Sequence, residues 1–134
     1  MEITWANLGW TMLFTGAGLI LMFLGLFIYD LLVPFKLFKE VEQGNEAVSW
    51  LAAGFLISTG IILGNAFAMH MVFLQALVYG VLGIVLNYAG YFAWELLTPK
   101  WSLSESIAKG STAAGKVMFG IAIAIGLIIS GSMS

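Results

Sequence analysis

Residues 25–34 read Gly-Leu-Phe-Ile-Tyr-Asp-Leu-Leu-Val-Pro, and residues 90–99 read Gly-Tyr-Phe-Ala-Trp-Glu-Leu-Leu-Thr-Pro. The match extends outward on both sides. Gly18, Leu21, Gly25, Phe27, Asp30, Leu31, Leu32 and Pro34 recur as Gly83, Leu86, Gly90, Phe92, Glu95, Leu96, Leu97 and Pro99. After a one-residue slip, Gly44, Ala47, Gly54, Ile57, Gly60 and Ile62 recur as Gly110, Ala113, Gly120, Ile123, Gly126 and Ile128. The one substitution in the first set, Asp30 for Glu95, keeps a carboxylate. Recurrence over this length marks one building block used twice, with halves at 1–67 and 68–134 of a single membrane domain. Each block holds two apolar runs. The pattern predicts an all-α integral membrane protein: four transmembrane helices, built from two parallel two-helix repeats with short interfacial amphipathic segments.

Composition agrees. The chain is 61% hydrophobic and only 9% charged, against roughly 25% charged in soluble domains. Without cysteine there are no disulfides, thiolate metal sites or cysteine nucleophiles. A net charge of −2 gives no field for nucleic acid, and the absence of arginine removes bidentate phosphate clamps. The first residues, Met1-Glu2-Ile3-Thr4-Trp5, lack the positive n-region of a signal peptide, so the first apolar run is expected to be retained.

The apolar runs cover about 8–29, 47–67, 71–94 and 113–133. Each approaches the ~20 residues that cross a ~30 Å hydrocarbon core as a helix. Strands are a poor alternative, because the runs are too long and alternation is missing. Lys36 and Lys39 fall between the first two runs; Lys100, Lys109 and Lys116 fall between or just inside the last two. The positive-inside rule then places both lysine-bearing loops in the cytoplasm and both termini outside. Trp5 and Trp10 are expected at the outer headgroup level, and Trp50, Trp94 and Trp101 at the inner one. Two spans per block give both blocks one orientation, related by an axis along the membrane normal.

Local chemistry punctuates these spans. Pro34 and Pro99 end spans one and three, because proline has no amide to continue the ladder. Asn45 and Ser111 precede new apolar runs and read as N-caps. Between cap and proline, residues 35–42 and 101–107 mix apolar and charged side chains and read as short amphipathic helices along the inner interface. Small residues four apart let helix backbones approach closely. Gly54 with Ser58 and Gly60 with Gly64 do so in span two; Gly120 with Ala124 and Gly126 with Ser130 do so in span four. Spans two and four are therefore expected to be central. Gly18 with Gly25, and Gly83 with Gly90, give spans one and three a single packing stripe each.

Asp30 and Glu95 are the recurring ionisable pair. They lie near helix C-termini, where the dipole disfavours negative charge. One reading pairs them with Lys36, Lys39 or Lys100 at the interface. A second has them reach the starts of spans two and four and accept amides near Asn45 or Ser111. A proton or ion site is the third. Ser58, Thr59, Asn65, Gln75 and Asn87 are the polar candidates within the membrane. Asn87 is the deepest of them and is expected to hydrogen-bond a neighbouring helix. His70, the single histidine, reads as a turn residue able to respond to pH. With no second His, Cys or acid beside it, it makes no metal site. No catalytic set, cofactor motif or metal cluster emerges. The segment 110–116 lacks the glycine, lysine and serine order of a phosphate loop.

The segments Tyr29-Asp30-Leu31-Leu32-Val33-Pro34 and Gly44-Asn45-Glu46-Ala47-Val48, followed by an apolar run with spaced glycines, resemble the YjfL-type bacterial inner-membrane proteins, a domain-of-unknown-function family. Leu97-Thr98-Pro99 and Ser111-Thr112-Ala113-Ala114-Gly115 are similar to the second half of such proteins. Ser111 stands where asparagine is usual, and Val33 where threonine is. The resemblance covers essentially the whole chain. It implies a polytopic bacterial inner-membrane protein without established activity. It also implies, by association, phage-shock-type or flotillin-type scaffolds as neighbours and a role in envelope maintenance.

The leading functional expectation is a non-enzymatic membrane scaffold or partner-docking subunit that forms a homo-oligomer. A small oligomeric ion channel or transporter is the alternative. An integral-membrane enzyme ranks third, since no convergent set of polar residues is visible.

Overall fold

The computed structural model describes residues 4–69, 72–97 and 103–133. Six helices follow in order: α1 (Trp5–Leu32), α2 (Leu37–Glu42), α3 (Glu46–Met69), α4 (Phe73–Leu97), α5 (Leu103–Ala108) and α6 (Thr112–Ser132). No strand occurs among the described residues. The four long helices are each long and apolar enough to cross a membrane. α1 is extended at both ends relative to its apolar run. Its 28 residues correspond to about 42 Å at ~1.5 Å per residue, so its ends outreach a hydrocarbon core.

Start and stop signals act locally. The Thr4 hydroxyl accepts the Asn7 amide at 3.1 Å and caps α1. Val33 leaves the helix with φ −81° and ψ 151°, the extended conformation that a following proline imposes. α2 ends in a Schellman turn: the Gly44 amide donates to Val41 O and the Asn45 amide to Glu40 O. The turn requires a left-handed residue, and Gly44 supplies it at φ +85°. After α5 the same bonds run from Gly110 to Ile107 O and from Ser111 to Ser106 O. Gly110 stands there at φ +89°.

Packing is organised around a seam between α3 and α6, the most extensive contact in the chain. A Cβ on Gly115 would sit 2.6 Å from Ala47 O, one on Gly54 2.9 Å from the Phe119 Cα, and one on Gly126 3.0 Å from the Ser58 Cα. Only glycine permits such approaches. The contacts climb both helices in the same direction, so α3 and α6 are parallel. α4 runs antiparallel beside them: a Cβ on Gly80 would reach Leu63, one on Gly83 Ile62, and one on Gly90 Ile125. α1 packs on the far side of α3, with Gly18 under the Phe67 ring and Gly25 under the Phe55 ring.

Two expectations need correction. α6 was expected to be as central as α3; instead α3 is the most enclosed helix and α6 is less enclosed than α4. Second, Gly60, Gly64 and Gly120 were expected at packing contacts, and each has open space where a Cβ would lie. Spacing by four brings small residues onto one face but does not say which way that face points.

Candidate functional site

The polar residues gather at the end of the bundle where α2 and α5 lie. Asp30 sits in the last turn of α1, half-buried, and its Oδ1 accepts the Leu37 amide at 2.6 Å. Pro34 ends α1, the chain folds back, and the first amide of α2 meets the carboxylate. A charge-assisted bond to a helix-start amide satisfies an orphan donor. The carboxylate thus caps a helix start, though that of α2 and not of α3. Lys36 and Lys39 are exposed. With Asp30, Pro34, Phe35 and Phe38 they line an open cleft of about 560 Å³. Phe38 also packs against Phe27 at a tilt, centroids 5.0 Å apart. Leu37 is buried whereas Phe38 and Val41 are exposed, so α2 anchors one side in the bundle and presents the other outward.

Asn45 joins the two halves. Its Oδ1 accepts the Val48 amide at 3.3 Å, capping α3. Its Nδ2 donates to Glu40 Oε2 at 3.1 Å, and to the carbonyls of Ala108 at 3.3 Å and Ile107 at 3.4 Å. Those carbonyls belong to the last turn of α5, which needs acceptors satisfied. Ser111 caps α6 by accepting the Ala114 amide at 3.3 Å. Its hydroxyl has no second arm to return the bridge. At the opposite end of α3, Asn65 Nδ2 donates to Ser130 O at 2.6 Å. Two asparagine amides therefore tie α3 to the second half of the chain, Asn45 to α5 at one end and Asn65 to α6 at the other.

Glu95 is half-buried in the last turns of α4. The segment after α4, with Pro99, Lys100 and Trp101, lies outside the described residues, as does His70. Asn87 is buried, as the sequence predicts, yet its Nδ2 makes no hydrogen bond. The glycines flanking it on α4 meet Ile62, Ile129 and Ile125, which offer no acceptor. Ser58 Oγ is buried and unpartnered as well, while Thr59 satisfies its hydroxyl on Phe55 O at 2.9 Å. Gln75 is exposed. Among the described residues no three His, Asp or Glu side chains gather as a metal site.

One cluster escaped the sequence reading. Tyr29, Phe55, Tyr88 and Tyr91 form an aromatic core joining α1, α3 and α4. Tyr29 lies 4.7 Å from Phe55 and 5.4 Å from Tyr91, centroid to centroid, and Phe55 stacks parallel to Tyr88 at 5.7 Å. The Tyr88 hydroxyl donates to Gly25 O, the polar handle that a buried tyrosine needs. On the other side of α3, Trp50 meets Phe119 edge-on at 4.9 Å and carries Lys116 Nζ 5.7 Å above its ring.

Four membrane-length helices locked by glycine contacts and amide bridges define a polytopic α-helical membrane protein. Residues 3–133 match the family described as Domain of Unknown Function (DUF350), and the chain belongs to it. The resemblance read from the sequence points to the same family. Over 103 residues, 77% of each chain, it is 25% identical to UPF0719 transmembrane protein YshE of Bacillus subtilis (strain 168). Over 121 residues, 90% of this chain and 89% of the relative, it is 27% identical to UPF0719 inner membrane protein YjfL of Escherichia coli (strain K12). No solved structure matches the chain.

Proposed function

We propose that this chain is a non-enzymatic scaffold of the bacterial inner membrane, built from two like blocks, that assembles with itself and docks a partner in envelope maintenance. One observation carries the reading: the polar groups near the helix ends are engaged in structure. Asp30, Asn45 and Ser111 are consumed by helix starts, Asn45 also by its bridge to α5, and Asn65 by its bridge to α6. What remains outward on and around α2 is a mixed surface of Lys36, Phe38, Lys39, Val41 and Glu42. The inner-membrane name of the Escherichia coli relatives supports the location. The lysine distribution supports cytoplasmic α2 and α5 loops and outward termini. A phage-shock-type or flotillin-type scaffold is the class of partner the resemblance favours.

In-cell crosslinking tests this. The proposal expects capture of further copies or of a membrane-scaffold protein; a chain that stays single and captures nothing defeats it. The second reading is a small oligomeric channel or transporter, favoured by the buried, unpartnered Ser58 Oγ and Asn87 Nδ2. Liposome flux separates the two. Ion or solute movement abolished by Asp30→Asn or Glu95→Gln would replace the scaffold with the transporter.

A further inference from the structure

The seam between α3 and α6 joins unlike faces. α3 offers Ala47, Leu51, Gly54, Ser58 and Ile62, all buried. Their counterparts in the recurring sequence, Ala113, Val117, Gly120, Ala124 and Ile128 of α6, are all exposed. Ile62 is 0% exposed and Ile128 68%; Leu51 is 1% exposed and Val117 43%. The reverse holds for the other side of the seam. α6 offers Gly115, Ala122 and Gly126, all buried. Their counterparts on α3 are Ser49 and Leu56, half-buried, and Gly60, exposed with nothing within 4 Å of its Cβ position. Block one thus gives its first face to the second face of block two. The second face of block one and the first face of block two stay open. They are the two halves of an interface the chain already makes once.

We propose that a second copy of the chain fills these faces, α6 of one copy packing on α3 of the next and repeating the internal seam head to tail. The proposal rests on the scaffold reading and names its partner. Shifting the internal contacts by one block gives the new ones. Ala47 on Gly115 becomes Ala113 on Ser49. Gly54 on Phe119 and Ala122 becomes Gly120 on Ala53 and Leu56. Ser58 on Gly126 becomes Ala124 on Gly60. Each pairing keeps a small residue where the backbones approach. A heterologous interface of this kind propagates to a ring where its rotation closes.

Two features separate these faces from a lipid-facing surface. The exposed side of α1 carries large groups, among them Ile20, Phe23, Leu24 and Phe27, which suit acyl chains. The open faces also carry large groups, Val117 and Ile128, but set Gly60, Gly64, Gly120 and Ala124 among them, which leaves grooves. The second feature is charge. A cleft of about 270 Å³ beside the start of α3 is lined by Glu46, Ser49, Trp50 and Ala53. The residue that replaces Trp50 one block later is Lys116, so the repeated seam brings Lys116 of one copy to the Glu46 and Trp50 of the next. Within a chain Lys116 already lies over Trp50.

The chain has no native cysteine, which makes the test clean. Gly60→Cys combined with Ala124→Cys, oxidised in native membranes, is expected to give a ladder of dimers and higher species on a non-reducing gel. Each single variant stays monomeric, and an equal mixture of the two stops at dimer. Ser58→Cys with Gly126→Cys is the internal control. A Cβ on Gly126 would sit 3.1 Å from the Ser58 Cβ, so a shift of a few tenths of an ångström at the seam lets that pair close within one chain. A double variant that stays monomeric while the control closes overturns the proposal, as do single variants that dimerise. If native mass measurement still finds several copies, only the head-to-tail seam has failed. If it finds one copy, the self-assembling scaffold fails with it.

Discussion

Asn45 carries more structure than any other single side chain described. Its oxygen starts α3, and its nitrogen ties α2 to α5. Ser111 performs the cap alone. The second block thus supplies a control for the first: Asn45→Ser keeps the cap and deletes the bridge, whereas Asn45→Ala deletes both. Losing a cap costs about 1 kcal/mol, and each lost hydrogen bond about 1 kcal/mol more. Thermal melts in detergent should rank wild type above Asn45→Ser and Asn45→Ser above Asn45→Ala; equal melting of all three would refute the bridge. The caps were legible because capping is settled within three residues of chain. The partner of Asp30 was not. It depends on how the chain folds back after Pro34, so the amide that arrives is that of Leu37. Asn87 gives the opposite kind of prediction. Its buried Nδ2 lacks a partner, and an apolar side chain removes that cost, the flexibility of methionine easing its larger volume. Asn87→Met, the residue found at the matching position Met22, is expected to melt at or above the wild-type temperature. A fall of several degrees would mean that the amide is satisfied by something bound there.

At the scale of helices, the period of the glycines was legible and their direction was not. Gly54 and Gly60 look alike in sequence, yet one lies against the Phe119 backbone and the other against nothing. A side chain at Gly54 must push two backbones apart, a strain of about 1–3 kcal/mol. A methyl at Gly60 or Gly120 meets no atom of the chain and gains up to about 1 kcal/mol of helix propensity. Gly54→Ala should therefore lower the melting temperature of the detergent-solubilised chain, and Gly120→Ala should leave it unchanged or raise it. The reverse order would place the seam on the wrong face. The tyrosine core was illegible for a related reason. Tyr29, Phe55, Tyr88 and Tyr91 come from three helices, and no periodicity within one helix announces a contact between three. The spans themselves were read to within about three residues at each end, because length and apolarity against the bilayer are properties of one segment alone.

For the whole molecule, the consequence of reading one block twice is that the chain has two unlike ends. On the proposed seam one face of α3 and one of α6 stay unpaired within the chain, and α3 is the more enclosed of the two, with α1 packed on it as well as α4. The measurement that tests this most directly is native mass spectrometry of the chain released from lipid nanodiscs. It should be run on wild type and on a variant carrying both Gly60→Leu and Gly120→Leu. Both substitutions enter open space within one chain, so circular dichroism should show unchanged helicity. The account predicts several copies for wild type and a single copy for the variant. A monomeric wild type, or a variant that keeps the wild-type copy number, would contradict it.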